Sequence, residues 1–506
     1  MEIEAKYAVI GPLDPERIAT LDLGSYTVTA RGTERHNDEV LDTPDRALTT
    51  ARQALRIRKT DGATLITLKG PNTVSGGVHA REEIERPLAA DADGDPGRWP
   101  EEIAEKVGPL LGDQRPGPLV RVDVVRHLWD VARDGERVAE LALDEGAIYA
   151  GGRARPVHEL ELELKGGGER GDLDAVTARL ERALALIPEP RGKLERGLEL
   201  LRPAGEGGRA PALEVGRRVI REQMEKLRKA RPDARAGDDP EGVHDMRVAT
   251  RRMRTMLDVL AGCPDADGKR LTGLRKRLKK PARRLGAVRD LDVLIAREEG
   301  YAADHPKDAD DLEAFHRVLL QRRQRARDAL EAYLDGAKLD RILAAVDTFA
   351  LEDGGSAGAG VDMPAVTVAQ YAGGAIWARY EGVLRLAAAA GGGEMDRLHQ
   401  LRIACKRLRY TLELFERELG TSATMLIAAL KRAQDELGAL HDGAVVRELL
   451  APLLEKRTGS AAKGLVRYAA ALDDERVRGI AASEPMRRYL CGEELRRQLA
   501  GLIGAL

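Results

Sequence analysis

The sequence predicts an α+β multidomain chain in which an N-terminal half of antiparallel strands precedes an all-α half. Three observations carry this reading. Up to about Pro203 apolar and polar residues mostly alternate, and beyond it apolar residues recur at helical spacing. A Gly/Pro-rich stretch, RPAGEGGRAPA (Arg202 to Ala212), separates the two grammars. The second half also contains an internal repeat. At 506 residues the chain is too long for one ordinary core. The domains expected are residues 1–200, a linker at 201–211, and residues 212–506.

The first strand is expected in MEIEAKYAVI, with Glu2, Glu4 and Lys6 on one face and Ile3, Ala5 and Tyr7 on the other. ALRIRKTDGATLITLK reads as a hairpin turning at Asp61-Gly62, and HLWDVARDGERVAELALDEG as another at Asp134-Gly135. Val157 to Lys165 alternates strictly. Leu173, Val176, Leu180, Leu184 and Ile187 then recur at helical spacing until Pro188.

In the second half, VHDMRVATRRMRTMLDVL begins at Val243 and LHQLRIACKRLRYTLELF at Leu398, 155 positions on. LKKPARRLGAVRD begins at Leu278 and LKRAQDELGALHD at Leu430, 152 positions on. Two matching pairs in the same order predict a duplicated helical unit, a pseudo-two-fold domain with halves at about 212–352 and 364–506. The loop Glu352 to Pro364 lies between them.

No apolar run approaches the ~20 residues of a membrane span, and the acidic N-terminus does not read as a signal peptide. Cys263, Cys405 and Cys491 lack metal-ligand spacing and suit a reducing compartment, so a cytoplasmic location is expected. The net charge of −2 gives no global field for nucleic acid, and aromatics at 3% offer few stacking platforms. No specific nucleic acid and no membrane is expected as a partner. A bound anion is expected to be phosphate-rich.

The strand half concentrates charge in an unusual way. Glu2, Glu4 and Lys6 share a face, as do Arg56 and Arg58, Glu140 and Asp144, and Glu159, Glu161 and Glu163; Lys69, Glu83 and Arg126 stand on further strands. A solvated sheet face would explain any one strand. Together, the carboxylates suit hard divalent cations and the Lys and Arg residues suit phosphate oxygens. If the strands close into a barrel, both sets face one lumen.

The N-terminal Glu-x-Glu-x-Lys of EIEAK, followed by LRIR, TLK, ALDEG and ELELE, resembles the CYTH superfamily, the triphosphate tunnel metalloenzymes. That group includes class IV adenylate cyclases, thiamine triphosphatases and inorganic tripolyphosphatases. The resemblance spans residues 1–200 and includes KLERGL, where Lys193 matches a lysine of the family pattern. It implies a closed antiparallel β-barrel, the tunnel, with flanking helices. It also implies Mg²⁺ or Mn²⁺ held by Glu2, Glu4, Glu161 and Glu163 with Glu159 nearby, and Glu2, Glu4 and Asp144 serving catalysis. Lys6, Arg56, Arg58, Lys69, Arg126 and Lys193 would grip the triphosphate.

In the helical half, His244, Arg247, Arg251 and Arg254 share a stripe, and the repeat presents His399, Arg402, Lys406 and Arg409 in the same way. Lys279 and Lys280 belong to an acid-free run, whose copy keeps Lys431. A one-sign stripe that occurs twice points to anion binding rather than a solvated face. No metal-ligand or catalytic spacing stands out in this half. VHDMRVATRRMR, LGAVRDLDVL and LHQLRIACKRLRY resemble the CHAD family, an α-helical domain found fused to CYTH domains and associated with inorganic polyphosphate. The expectation is a metal-dependent triphosphatase acting on inorganic tripolyphosphate or a related triphosphate, joined to a module that binds polyphosphate and is associated with its granules. The alternatives are a non-catalytic polyphosphate-binding protein and a class IV-like adenylate cyclase.

Overall fold

The computed structural model describes the chain except residues 1, 12, 61, 72, 76–77, 90–91, 93, 185, 202–206, 238, 353–363, 421 and 457–462. At 2, 73–75, 78–81 and 456 only the backbone is described. The turn residue Asp61, residues 202–206 of the linker and most of the loop between the repeat halves therefore lie outside the described residues. The chain divides into two compact units, residues 1–203 and 204–506.

Among the described residues unit one contains eleven strands: β1 (Glu2–Val9), β2 (Tyr26–Asp42), β3 (Ala54–Lys59), β4 (Thr64–Lys69), β5 (Thr73–Ser75), β6 (Val78–Arg81), β7 (Glu83–Pro87), β8 (Gly117–Arg133), β9 (Glu136–Ala150), β10 (Arg153–Leu164) and β11 (Leu186–Pro188). They form one antiparallel sheet in the order β5-β6-β1-β10-β9-β8-β2-β3-β4-β7, with β11 added on β1. The β8–β9 hairpin turns at Asp134 (φ 53°) and Gly135 (φ 82°), the left-handed pair that Asp-Gly favours. The β9–β10 hairpin uses Gly151 and Gly152, both at positive φ, a turn the sequence reading had not singled out.

The closed barrel is corrected: among the described residues no pairing joins β7 to β5 or β6, so the sheet is open. Its edges are poor partners. β5 spans three residues, and β7 ends at Pro87, which has no amide to donate. The sheet nevertheless curls enough that side chains from β1–β4 and β7–β10 line a common cavity.

The usual polarity of a sheet is inverted here. Leu141, Leu143, Leu160 and Leu162 point outward and are sealed by Leu173, Val176 and Leu180 of the Arg170–Ala183 helix. Leu55, Ile57, Ile66 and Leu68 are covered in the same way by Ile103, Val107 and Leu111 of the Glu101–Leu111 helix. With the apolar face buried outside, the charged face has nowhere to go but in. The Lys193–Leu200 helix docks through Leu194 and Leu200 on Val120, Val122 and Ile148. Its Gly197 sits so close to the sheet that a Cβ would lie 2.4 Å from the Val120 side chain.

In unit two the repeats take equivalent places. The Pro240–Leu260 helix packs on Lys279–Asp304, and its copy Met395–Leu414 packs on Ser422–Lys456. The two first members also touch each other, as do the two second members. Pro211 bridges Thr367 just before each half begins. No helix among the described residues is long and apolar enough to cross a membrane.

Gly197→Ala should force the Lys193–Leu200 helix off the sheet and destabilise the fold by about 1–3 kcal/mol, read by calorimetry. Gly171→Ala, in an exposed helical position with open space around it, should leave stability equal or slightly higher.

Candidate functional site

The cavity enclosed by the sheet of unit one has a volume of about 660 Å³. Strand parity brings Glu4 and Lys6 of β1 to its wall, where they are 3% and 5% exposed. The β1–β10 register sets Glu4 against Glu163 and Lys6 against Glu161, so acids and a base meet across the ladder. Lys6 Nζ stands 2.9 Å from Glu4 and 3.4 Å from Glu161. Glu2 lies in β1 opposite Arg81, and its side chain is outside the described residues.

Beneath the wall lies a buried acidic floor. Asp144, Glu159 and Glu161 each bring one oxygen within 4.8 Å of the others. Lys193 Nζ is 2.8 Å from an oxygen of each. Arg126 grips Asp144 through two hydrogen bonds of 2.7 Å and also donates to Glu161. Arg196, on the same helix as Lys193, donates to Glu159. Burial would raise all three carboxyls. At Asp144, Arg126 and Lys193 overcome it and hold the group below its usual range. At Glu161, Lys193, Lys6 and Arg126 do so more strongly. Glu159 stays raised, because Arg196 and Lys193 offset burial only in part. The same carboxylates, against the cost of burial, raise the Lys193 ammonium well above an ordinary lysine.

The opposite wall pairs its cations with acids. Arg58 makes a bidentate pair with Asp38 at 2.7 and 2.8 Å, and Arg56 lies 3.5 Å from the same carboxylate. Asp38 is 3% exposed; Arg56 and Arg58 outweigh its burial and hold it well below the usual carboxylate range. Arg56 also approaches Glu85 at 3.3 Å, and Lys69 pairs with Glu83 at 2.9 Å. Arg31 reaches Glu140 at 2.6 Å.

Lys6, Arg56, Arg58, Lys69, Arg126 and Lys193 thus all line one cavity, together with Glu4, Glu161 and Glu163. Asp144 and Glu159 do not line it; they hold its cations from behind. The sequence reading missed Asp38, Arg31 and Arg196. In RHNDE charges fall at both strand parities, so alternation gave no signal for Asp38, and Arg196 comes from a helix rather than a strand.

In unit two a second charged cluster forms where the two repeat copies meet. Arg247 and Arg251 of the Pro240–Leu260 helix face Arg402, Lys406 and Arg409 of Met395–Leu414. Arg251 and Arg409 both stack on the Tyr410 ring, at 5.3 and 4.7 Å. Gly286 and Gly438, equivalent in the repeat, lie beneath the Arg247 and Arg402 guanidiniums; a Cβ at Gly438 would sit 3.2 Å from Arg402 Nε. Asp290 pairs with Arg247 at 2.8 Å, and Glu413 lies 3.6 Å from Arg409. Among the described residues no carboxylate lies within ion-pair distance of Arg251, Arg402 or Lys406, and the Nε atoms of Arg251, Arg402 and Arg409 find no acceptor. Burial, followed by Arg402, Arg251 and Arg247, pushes Lys406 down to about 7.

His244 lies beside Arg289 and Arg251, and the His399 ring lies tilted against that of His441 with centroids 4.2 Å apart. Arg254 instead faces Arg275 and Asp258. Lys280 sits over Tyr333, and Lys279 and Lys431 are exposed on their own helices. Glu241, His244 and Asp245 bring ligand atoms within 4.8 Å, a spacing the sequence reading did not identify. They lie on an open first turn, where Glu241 is also 3.8 Å from Arg289.

Residues 1–198 match the CYTH domain family and residues 218–451 the CHAD domain family. An uncharacterized protein of Mycobacterium tuberculosis is 29% identical over 500 residues, covering 89% of this chain and 88% of the relative. An inorganic triphosphatase of Haemophilus influenzae is 30% identical over 182 residues, 35% of this chain and 48% of the relative. The chain thus aligns with about half the length of that enzyme. Among solved structures, the CHAD domain of Ricinus communis aligns with a TM-score of 0.44 at 24% identity, covering 55% of this chain and 92% of that one. A Hippeastrum protein with a dominant triphosphatase activity aligns with a TM-score of 0.31 at 18% identity, covering 39% and 96%. The chain is a CYTH domain followed by a CHAD domain.

Proposed function

We propose that unit one hydrolyses inorganic triphosphate, or a closely related triphosphate, with Mg²⁺ or Mn²⁺, and that unit two binds inorganic polyphosphate. One observation carries the first part: a single cavity brings Arg56, Arg58 and Lys69 together with Glu4, Glu161 and Glu163. The similarity to an inorganic triphosphatase supports it. The oxygen-only donor set fits a hard divalent cation. Asp144 and Glu159 lie behind the cavity lining, so Glu4, Glu161 and Glu163, which face the cavity, are the residues that would hold it. When bound, the cation would polarise the terminal phosphoryl group and an attacking water.

The remaining work falls to this chain's own side chains. Lys6, Arg56, Arg58, Lys69 and Arg126 bind and orient the phosphate oxygens and counter the charge that develops on the leaving phosphate. Asp38 aims Arg56 and Arg58, while Asp144 and Glu159 fix Arg126 and Lys193. Among the described lining residues Thr60 carries the one hydroxyl and there is no thiol, which favours water as the nucleophile. The described lining also contains no Phe, Tyr or Trp to stack a base, which favours an inorganic substrate over a nucleotide. A second reading, anion binding without turnover, is favoured by Lys193 standing within the carboxylate floor, since an ammonium there needs no metal to balance it.

Phosphate release from tripolyphosphate, ATP and thiamine triphosphate, with and without Mg²⁺ or Mn²⁺, separates the two. Turnover of tripolyphosphate that depends on the cation is expected; tight binding with no release at any cation concentration would establish the second reading. Glu4→Gln should lower kcat roughly 10²-fold or more, with the fold unchanged by circular dichroism. Arg56→Ala with Arg58→Ala should weaken tripolyphosphate binding by ~1.5–3 kcal/mol per lost contact, read in KM. Unchanged kinetics of that double variant would place Arg56 and Arg58 outside the reaction.

For unit two, Arg251→Gln with Arg402→Gln should reduce the affinity of the full chain for long polyphosphate more than for tripolyphosphate, because only a long chain engages both copies at once. Wild-type binding should weaken steeply with salt. Equal losses for both ligands would remove the two-copy reading.

A further inference from the structure

The two copies of the repeat carry different kinds of charge at equivalent positions. Arg251 and Arg289 of the first copy correspond to Lys406 and His441 of the second. Arginine is charged at any ordinary pH, whereas lysine and histidine respond to their surroundings. Those surroundings are crowded. Lys406 is faced by Arg247 and Arg251 from the Pro240–Leu260 helix, by Arg402 on its own helix, and by Asp442 from Ser422–Lys456. His441 is faced by Arg402 and Lys406, by Asp290 from the Lys279–Asp304 helix, and by Asp442, and its ring lies 4.2 Å from that of His399. Asp290 is already committed to Arg247 at 2.8 Å, so the acids do not balance the bases.

We propose that the second-copy half of this cluster is a proton-linked subsite: inorganic polyphosphate is gripped by permanent charge in the first copy and by charge acquired on binding in the second, so the chain is held tightly near neutral pH and released as pH rises. The inference rests on the polyphosphate reading of unit two and adds its regulation.

The sign follows from the geometry. Without an anion, each proton added to Lys406 meets three guanidiniums. Burial and this repulsion bring the group down to about 7 and hold His441 below an ordinary histidine. A phosphate chain laid over the cluster cancels the repulsion, and both groups move back toward their ordinary values. Protons are therefore taken up on binding, and affinity falls as pH rises, by up to about tenfold per pH unit for one linked proton. A fixed basic surface would show the reverse trend, because polyphosphate end groups become more anionic on the same path.

The test is calorimetric titration of the full chain with long-chain polyphosphate at pH 6.5, 7.5 and 8.5, at constant ionic strength with EDTA to suppress turnover. Each titration is run in two buffers of different ionisation enthalpy so that bound protons are counted. The wild type should lose about tenfold or more in affinity from pH 6.5 to 8.5 and take up close to one proton per site at pH 7.5. Lys406→Arg with His441→Arg gives the second copy the first copy's permanent charges, and it should flatten the pH dependence and abolish the linked uptake. Arg251→Lys makes the reciprocal change and should steepen it. Binding by the wild type with no proton uptake, or equal pH slopes in wild type and double variant, would overturn the inference while leaving polyphosphate binding intact. Absence of polyphosphate binding at every pH would overturn both. Proton counting on the wild type decides the matter even if a variant fails to fold.

Discussion

Lys193 stands 2.8 Å from each of three buried carboxylates, and much of unit one follows from the need to keep that charge balanced. Three carboxylates this close would repel strongly in a poorly solvated interior. The ammonium, with Arg126 and Arg196 at its flanks, makes the arrangement tolerable. Delivering it requires the Lys193–Leu200 helix to lie flat on the sheet, which explains why Gly197 meets Val120 with no room for a side chain. The helix entry is fixed in turn. Arg191 is clamped by Glu189 at 2.7 Å and by Glu199 at 3.2 Å, and the Glu195 carboxylate accepts from the Gly192 amide at 2.7 Å. A buried ion cluster thus sets the packing of a helix, a strand and a turn.

Much of this was legible in the sequence, for a definable reason. Strand parity is a two-state property, so spacing placed Glu4 with Lys6, Arg56 with Arg58 and Glu161 with Glu163 on shared faces, and the resemblance to the CYTH family joined those faces into one site. The Asp134-Gly135 turn was legible because its two left-handed residues have a narrow chemical preference. Other features depend on distance in space rather than on spacing. Nothing in KLERGL says that Lys193 ends amid Asp144, Glu159 and Glu161, or that Arg196 follows it there. Asp38 lies in a run charged on both faces. Barrel closure depends on edges as short as β5 and as donor-poor as the end of β7, and alternation within strands carries no information about that.

Unit two solves the opposite problem. Its cluster gathers like charges with few acids between them, a state that costs stability when no anion is bound. Tyr410 offsets part of the cost by offering its ring face to Arg251 and Arg409. The glycines at 286 and 438 let Arg247 and Arg402 lie low against neighbouring helices, so packing holds Arg402 where no described carboxylate does, while Arg247 also pairs with Asp290. Side chains held that way keep their donors available, as the unpaired Nε atoms of Arg251 and Arg402 illustrate. The repeat explains how such a surface arises: one helix pair supplies half the charge, and its copy supplies the rest.

The inverted polarity of the sheet in unit one has a consequence for how the cavity fills. Its walls already carry matched cations and anions, so the interior behaves as an ion exchanger with fixed sites of both signs. On the proposed function, an incoming polyanion would displace carboxylates from their partners at Arg56, Arg58 and Lys69, and the carboxylates it freed would need a new counter-charge. A small cation arriving with the polyanion would supply it, whereas either ion alone would leave the charges out of balance. Co-entry as a neutral salt would then be the low-energy path, a charge-matching condition imposed by eight strands rather than by a membrane.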